Sequence, residues 1–246
     1  MKRSKNGTIT VIVPVYNEVA TIRDIILRIR KFTVSPVQLI VVDDASTDGT
    51  QAVLRRLKKQ IDVLLEHKDN QGKGAAIATA QPHVRGDVVV LQDADLEYDP
   101  AEYLKLVQPI FEDKADAVYG SRFVGSEAHR VVYFWHSVAN AALTMLSNSI
   151  TNINLTDMET GYKVFRASLF HKFQLVEPRF GIDPELTAQM VYFGARIYEV
   201  GISYQGRTYA EGKKIGFSDG LRVLFVIIKY GFKYRFGLLK HHELKQ

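Results

Sequence analysis

The chain has 246 residues, enough for one large domain or two small ones with a core that needs no staples. A hydrophobic share of 46% and a charged share of 24% exclude a disordered chain, and the lack of any cysteine excludes a disulfide scaffold, a thiolate metal site and a cysteine nucleophile. The formal charge of +5 is too small to imply a nucleic-acid partner, and residues 207–246 carry it, with nine Lys/Arg against three Asp/Glu.

Five apolar runs read as strands in chain order: Thr8–Val13, stopped by Pro14, then Gln38–Val42, Val63–Leu65, Asp87–Leu91 and Ala117–Tyr119. Helical spacing connects them. Ile22, Ile25, Ile26 and Ile29 mark a helix within Glu18–Phe32, and a second follows Ser46 and Thr47 through Leu54 and Leu57. Short helices are expected over Ala75–Ala80 and from Pro100 to about Phe111. The second half predicts a helix from about Tyr133 to Ile150, short strands, a helix near Pro184–Phe193, and a final apolar-aromatic helix from about Phe217 to Phe236. Strands alternating with helices at this pace indicate one α/β domain over residues 1–246, with a mostly parallel, doubly wound sheet. No run approaches the roughly 20 apolar residues of a bilayer span, and the basic start Met1-Lys2-Arg3 has no apolar run behind it. A cytoplasmic protein, soluble or peripheral to the membrane, is expected.

In such sheets ligands sit beyond the carboxyl ends of the strands. After the first strand comes Pro14-Val15-Tyr16-Asn17-Glu18, with no Gly-x-Gly-x-x-Gly, so the dinucleotide fingerprint is missing. Asn17 and Glu18 fit a helix cap equally well. The second strand ends in Asp43-Asp44-Ala45-Ser46-Thr47-Asp48-Gly49-Thr50, whose crowded carboxylates call for a positive or hydroxyl-rich occupant. Asp44 is the candidate for a ribose or base, while Asp48 or Ser46 can cap the next helix. The fourth strand ends in Asp93-Ala94-Asp95, two carboxylates pointing the same way along extended chain. They suit Mg²⁺ or Mn²⁺, with diphosphate oxygens completing the octahedron.

These segments, with Asn70-Gln71-Gly72-Lys73-Gly74, resemble glycosyltransferase family 2 and its GT-A nucleotide-sugar fold. Gly120-Ser121-Arg122-Phe123, Asp157-Met158-Glu159-Thr160-Gly161-Tyr162-Lys163 and Gly206-Arg207-Thr208-Tyr209 are similar to the branch of dolichyl-phosphate mannose and glucose synthases and bacterial polyprenyl-phosphate sugar transferases. The resemblance spans about residues 8–215 and implies roles for particular positions. Pro14, Tyr16, Glu18 and Asp44 would meet the nucleotide, Lys73 would approach the donor, and Asp93-Ala94-Asp95 would hold the metal and diphosphate. Glu97, where mannose synthases often carry Gln, is expected as a further metal ligand. Arg122 would clamp the acceptor phosphate with Arg130 and Ser137, since a planar guanidinium suits bidentate phosphate recognition. Asp157 would be a general base for a hydroxyl acceptor or a sugar-orienting group for a phosphate acceptor, and Glu185 a weaker sugar or helix contact. Arg207, Lys213 and Lys214 would close over the donor diphosphate.

The implied activity is inverting, metal-dependent transfer of a hexose from a UDP-glucose- or GDP-mannose-type donor to a polyprenyl or dolichyl monophosphate. The alternative acceptor is a saccharide or lipid hydroxyl. Residues 217–246 mix cations and aromatics, as in a helix lying on anionic lipid at the inner membrane face. The competing reading is a helix packed on the core, and the two combine if aliphatics face inward and Lys/Arg outward. A membrane-anchor subunit or a second copy of the chain remains an open partner. Nucleic acid is not expected.

Overall fold

All five expected strands enter one sheet, together with two short strands from the second half. The computed structural model describes residues 7–32, 35–125, 130–131, 133–207 and 217–243. Strands β1 (Ile9–Val15), β2 (Val37–Asp43), β3 (Val63–Glu66), β4 (Val88–Leu91), β5 (Ala117–Ser121), β6 (Lys163–Arg166) and β7 (Ile197–Gly201) lie in the order β3-β2-β1-β4-β6-β5-β7. Pairing is parallel except at β6, which runs antiparallel to both β4 and β5.

The alternation of side chains along each strand separates two cores. Ile9, Val11, Val13 and Val15 of β1 pack with α1 (Ile22–Lys31), α2 (Thr50–Arg56) and α4 (Tyr103–Phe111). Ile12 of β1, with Ile40 and Val42 of β2, faces α3 (Lys73–Ala80), α6 (Ala167–Phe170) and α7 (Ile182–Tyr192) on the other side. Helices flank a mostly parallel sheet, as in a GT-A fold.

Pro14 does not stop the first strand. It pairs with Val42 of β2, and β1 runs on to Val15. The ladder to β4 ends at Ile12–Leu91, so the N–H that proline lacks lies beyond the last bond on that side. The first helix begins at Ile22 rather than Glu18, because Asn17 turns into the left-handed region at φ 51° and residues 18–21 form a turn. Side chains of the next loop fasten this turn. The amides of Asn17, Glu18 and Val19 donate to Ser46 Oγ (2.9 Å), Thr50 Oγ1 (3.0 Å) and Asp48 Oδ2 (3.0 Å).

The long helices α5 (Phe134–Thr151) and α8 (Phe217–Glu243) lie against one another, and α8 also packs on α7. Val223, Val226, Ile227 and Tyr230 are buried beneath α8, but Leu221, Leu224, Phe225, Ile228 and Phe232 are exposed. The expected arrangement holds for Val223, Val226 and Ile227, which face inward, and for Arg222 and Lys229, which stay 51% and 42% exposed, but further apolar side chains also face outward. Arg222 and Lys229 reach the buried Glu177 carboxylate at 2.6 Å and 3.0 Å. Burial works against that charge, yet their hydrogen bonds hold Glu177 below the usual glutamate pKa. Among the described residues no helix is long and apolar enough to cross a membrane.

Candidate active site

The carboxyl ends of β1, β2 and β4 bring their loops to one edge of the sheet. Asp44, just past β2, is almost fully buried, and its oxygens are used within the chain. Oδ1 accepts from the Gln71 amide (2.8 Å) and meets His67 Nδ1 (2.7 Å), while Oδ2 accepts from the Gly72 amide (2.6 Å) and Asn70 Nδ2 (2.9 Å). Four bonds fill a carboxylate's acceptor capacity. Asp44, expected at the ribose, instead anchors the Asn70–Gly74 loop. That loop turns at Gly72, where φ is +100° and a Cβ would lie 2.5 Å from the Pro178 carbonyl oxygen. Replacing Asp44 by alanine will strand these loop donors and lower the melting temperature by roughly 10 °C, from ~3 kcal/mol at about 2–4 °C per kcal/mol. A loss of nucleotide affinity without a melting shift would reverse this assignment.

The neighbouring Asp43 differs. It is fully buried, Oδ2 accepts from Gln51 Nε2 at 2.9 Å, and Oδ1 meets no donor among the described residues. Within this acidic run, only three-dimensional contacts separate Asp44, whose oxygens are bonded within the chain, from Asp43. Tyr16 stands 38% exposed, Pro14 is half-buried, and Ala94 is buried.

Lys73 opens α3 and contacts Asp93 Oδ1 at 2.7 Å. Burial opposes its charge, but Asp93, then Asp183 and Glu159, hold its pKa above the ordinary lysine value. Arg207 gathers the other acids: its Nη2 lies 2.8 Å from Glu18 and 3.1 Å from Asp95, and its Nε 3.9 Å from Glu97. Glu97 also accepts from the Arg207 amide and the Tyr204 hydroxyl, both at 2.8 Å. The expected trio Asp93, Asp95 and Glu97 is thus divided among Lys73, Arg207 and Tyr204. Among the described residues no group of three or more acid or histidine side chains is placed to hold a metal. Asp93 and Asp95 nevertheless fit a divalent cation, since Mg²⁺ is commonly held by one or two carboxylates plus substrate phosphates rather than by a protein cage.

Arg122, just beyond β5, grips Asp157. Nε and Nη2 donate to the two carboxylate oxygens, each at 2.7 Å, and the Arg122 amide adds a bond at 3.1 Å. Asp157 is fully buried, and Asn140 of α5 donates to it at 3.3 Å. The guanidinium also lies 5.1 Å from the Tyr204 ring, so the ring that orders Glu97 stacks on Arg122. Ser137 sits in the first turn of α5, and Asn140, one turn further, is the α5 residue that touches the Arg122–Asp157 pair. Helical spacing from Ser137 was the available signal for it. Arg130 is exposed and donates to the Gly206 carbonyl at 3.2 Å, beside Arg207. Glu185 accepts from the Val176 and Glu177 amides, so it holds a loop. Lys213 and Lys214 lie outside the described residues.

Two features missing from the sequence reading lie between these clusters. Lys163 is fully buried and paired with Asp183. Glu159 has an Oε1 that is buried with no donor among the described residues, and its pKa is pushed up to about 8, first by burial and then by Asp183.

The arrangement combines an acidic edge, Asp93, Asp95 and Glu97, with the Arg122–Asp157 pair beyond β5. The description "Glycosyl transferase family 2" matches residues 10–173. The chain belongs to this family. An undecaprenyl-phosphate mannosyltransferase from Micrococcus luteus is 31% identical over 83% of this chain and 86% of its own length. A dodecaprenyl-phosphate galacturonate synthase from Rhizobium johnstonii is 25% identical over 95% of this chain and 69% of its own length. In fold, the chain resembles glucosyl-3-phosphoglycerate synthase from Mycobacterium tuberculosis, crystallised with Mn²⁺, UDP and glucosyl-3-phosphoglycerate. The TM-score is 0.71 at 20% identity, covering 91% of this chain and 80% of that one. The protein is a family 2 glycosyltransferase whose relatives include polyprenyl-phosphate sugar transferases.

Proposed function

We propose that the protein, working as one catalytic domain, transfers a hexose from a nucleoside-diphosphate sugar to a polyprenyl monophosphate with inversion at the anomeric carbon. The observation that carries this reading is the Arg122–Asp157 pair. The carboxylate expected as a general base for a hydroxyl acceptor is buried and bonded to Arg122 and Asn140. It is poorly placed to take a proton. A phosphate acceptor arrives already ionised and needs no base. The pair engages Nε and Nη2 of Arg122, so Nη1 can serve an acceptor phosphate without breaking it.

Asp93 and Asp95 would hold Mg²⁺ or Mn²⁺ on the donor diphosphate, where the ion supplies Lewis-acid stabilisation of the developing negative charge. The Mn²⁺ and UDP of the structural neighbour are consistent with this. Asp43 offers its free oxygen, and Tyr16 its ring, to the nucleotide base. Lys73 and Arg207 supply positive charge beside the departing diphosphate. The acceptor oxygen attacks C1 from the opposite face, the bond from C1 to the diphosphate oxygen breaks, and its electron pair leaves with the nucleoside diphosphate. An α-linked donor gives a β-linked lipid phosphosugar.

The acceptor class places the enzyme at the inner membrane surface. Exposed Leu221, Leu224, Phe225, Ile228 and Phe232 share α8 with exposed Arg222, Lys229 and Lys233, and Phe134, Trp135 and Met145 of α5 are exposed as well. Such mixed surfaces bind anionic bilayers. We favour the bilayer itself over an anchor subunit or a second copy of the chain.

The test is transfer from UDP- and GDP-hexoses, with Mn²⁺, to a polyprenyl phosphate and to the corresponding polyprenol. Only the phosphate is expected to be glycosylated. Asp157→Asn is expected to retain turnover within about tenfold, whereas loss of a true general base costs ~10²–10⁴-fold. Transfer to the alcohol, abolished by Asp157→Asn, would establish the hydroxyl-acceptor reading instead.

A further inference from the structure

Three ion pairs cross the floor of the site: Arg122–Asp157 and Lys73–Asp93, each at 2.7 Å, and the buried Lys163–Asp183. Each cation already has its carboxylate. Glu159 belongs to the same electrostatic cluster, interacting with Asp183, Lys163, Arg122, Asp157 and Lys73, and its Oε1 is buried without a hydrogen bond among the described residues.

The turn that carries Glu159 is pinned on both sides. Asp157 is held by Arg122, and the Met158 amide donates to Thr144 Oγ1 at 3.2 Å. Thr160 Oγ1 donates to the Gly120 carbonyl, and the Gly161 amide donates to the Tyr98 hydroxyl at 2.9 Å. At Gly161 the backbone comes so close to Asp93 that a Cβ would lie 2.3 Å from Oδ2. Glu159 therefore stands midway along a rigid segment between the acceptor guanidinium and the donor carboxylates. That is where the transferred sugar must lie if the proposed reaction holds.

We propose that Glu159 recognises the transferred sugar, its carboxyl hydrogen-bonding a ring hydroxyl and thereby selecting the hexose. This rests on the donor reading above. A carboxyl without an ion-pair partner among the described residues, in surroundings that favour its protonated form, can both donate to and accept from a hydroxyl. Leaving its oxygen unpaired when that hydroxyl is missing is what discriminates against the wrong sugar.

The experiment measures donor affinity without acceptor, by calorimetry with Mn²⁺, for wild type, Glu159→Gln and Glu159→Ala. The probes are UDP-glucose, UDP-N-acetylglucosamine, UDP-galacturonate and GDP-mannose, then the monodeoxy analogues of the tightest binder, with UDP and GDP as references. Glu159→Ala is expected to weaken the sugar nucleotide about ten- to a hundredfold and to leave the bare nucleoside diphosphate within about twofold. One deoxy analogue should weaken wild type by a similar factor and cost the alanine variant nothing further. Glu159→Gln, which keeps shape and an acceptor, should recover most of the affinity. Equal affinity of wild type and Glu159→Ala for the sugar nucleotide overturns the inference while leaving the donor reading intact. Equal losses for sugar nucleotide and bare diphosphate assign Glu159 a structural role instead. Failure of every sugar nucleotide to bind wild type overturns both.

Discussion

Replacing Asp95 by asparagine will reduce transfer by about 10³-fold and make the remaining activity insensitive to added Mn²⁺. The magnitude follows from the several kcal/mol that a bound metal ion contributes to transition-state charge stabilisation, at ~1.4 kcal/mol per factor of ten. Asparagine preserves the volume and one acceptor oxygen, so the change isolates the charge. In the free enzyme that charge faces Arg207 at 3.1 Å, and Arg207 keeps Glu18 at 2.8 Å when it is gone. Melting should therefore move by only a degree or two. EDTA treatment of wild type should reproduce the loss, with Mn²⁺ restoring wild type but not the variant. The affinity of Mn²⁺ in the presence of UDP or GDP should fall in parallel. Transfer that survives EDTA would remove Asp93 and Asp95 from any metal role.

The same residues show which parts of the site were legible in the sequence. Asp93-Ala94-Asp95 could be located because a buried four-residue valine-rich strand ends just before it, but Ala94 and Asp95 lie in a turn and the two carboxylates meet different cations, Lys73 and Arg207. Asp44 and Glu97 were not readable in that manner. Their partners are remote in sequence: Asp44 is spent on groups 26–28 residues away in the Asn70–Gly72 turn, and Glu97 on Tyr204 and Arg207, 107 and 110 residues away. Motif spacing names the acids at a strand end, and only the fold decides which of them is already satisfied. The antiparallel insertion of β6 was hidden for a related reason, since four residues carry no period that distinguishes one strand direction from the other. On α8, Arg222 and Lys229 stay exposed yet pair with Glu177, 45 and 52 residues away, a use that the helical pattern does not announce. For Asp44 and Glu97 alike, a partner remote in sequence decides how the local pattern is used.

Arg122→Lys carries the second large effect, about 10²–10³-fold in kcat/KM for the polyprenyl phosphate, with donor affinity unchanged. Lysine keeps the positive charge but lacks the planar fork that reaches both Asp157 oxygens at 2.7 Å and stacks 5.1 Å from the Tyr204 ring. The loss corresponds to the ~2–5 kcal/mol that truncating one side of a buried charged hydrogen-bonded pair costs. Alanine is the poorer probe. It leaves Asp157, fully buried, without its counter-ion, which typically costs ~3–5 kcal/mol of stability and confounds activity with folding. Combining Arg122→Lys with Asp157→Asn should cost less than the two single changes together, because the two side chains act as one unit. Slow hydrolysis of the donor by water supplies the decisive control, since it uses the donor side of the site but no acceptor phosphate. If Arg122 serves the acceptor, hydrolysis will persist in Arg122→Lys while transfer fails. Parallel loss of both would move Arg122 to the donor side and leave the acceptor phosphate without its proposed clamp.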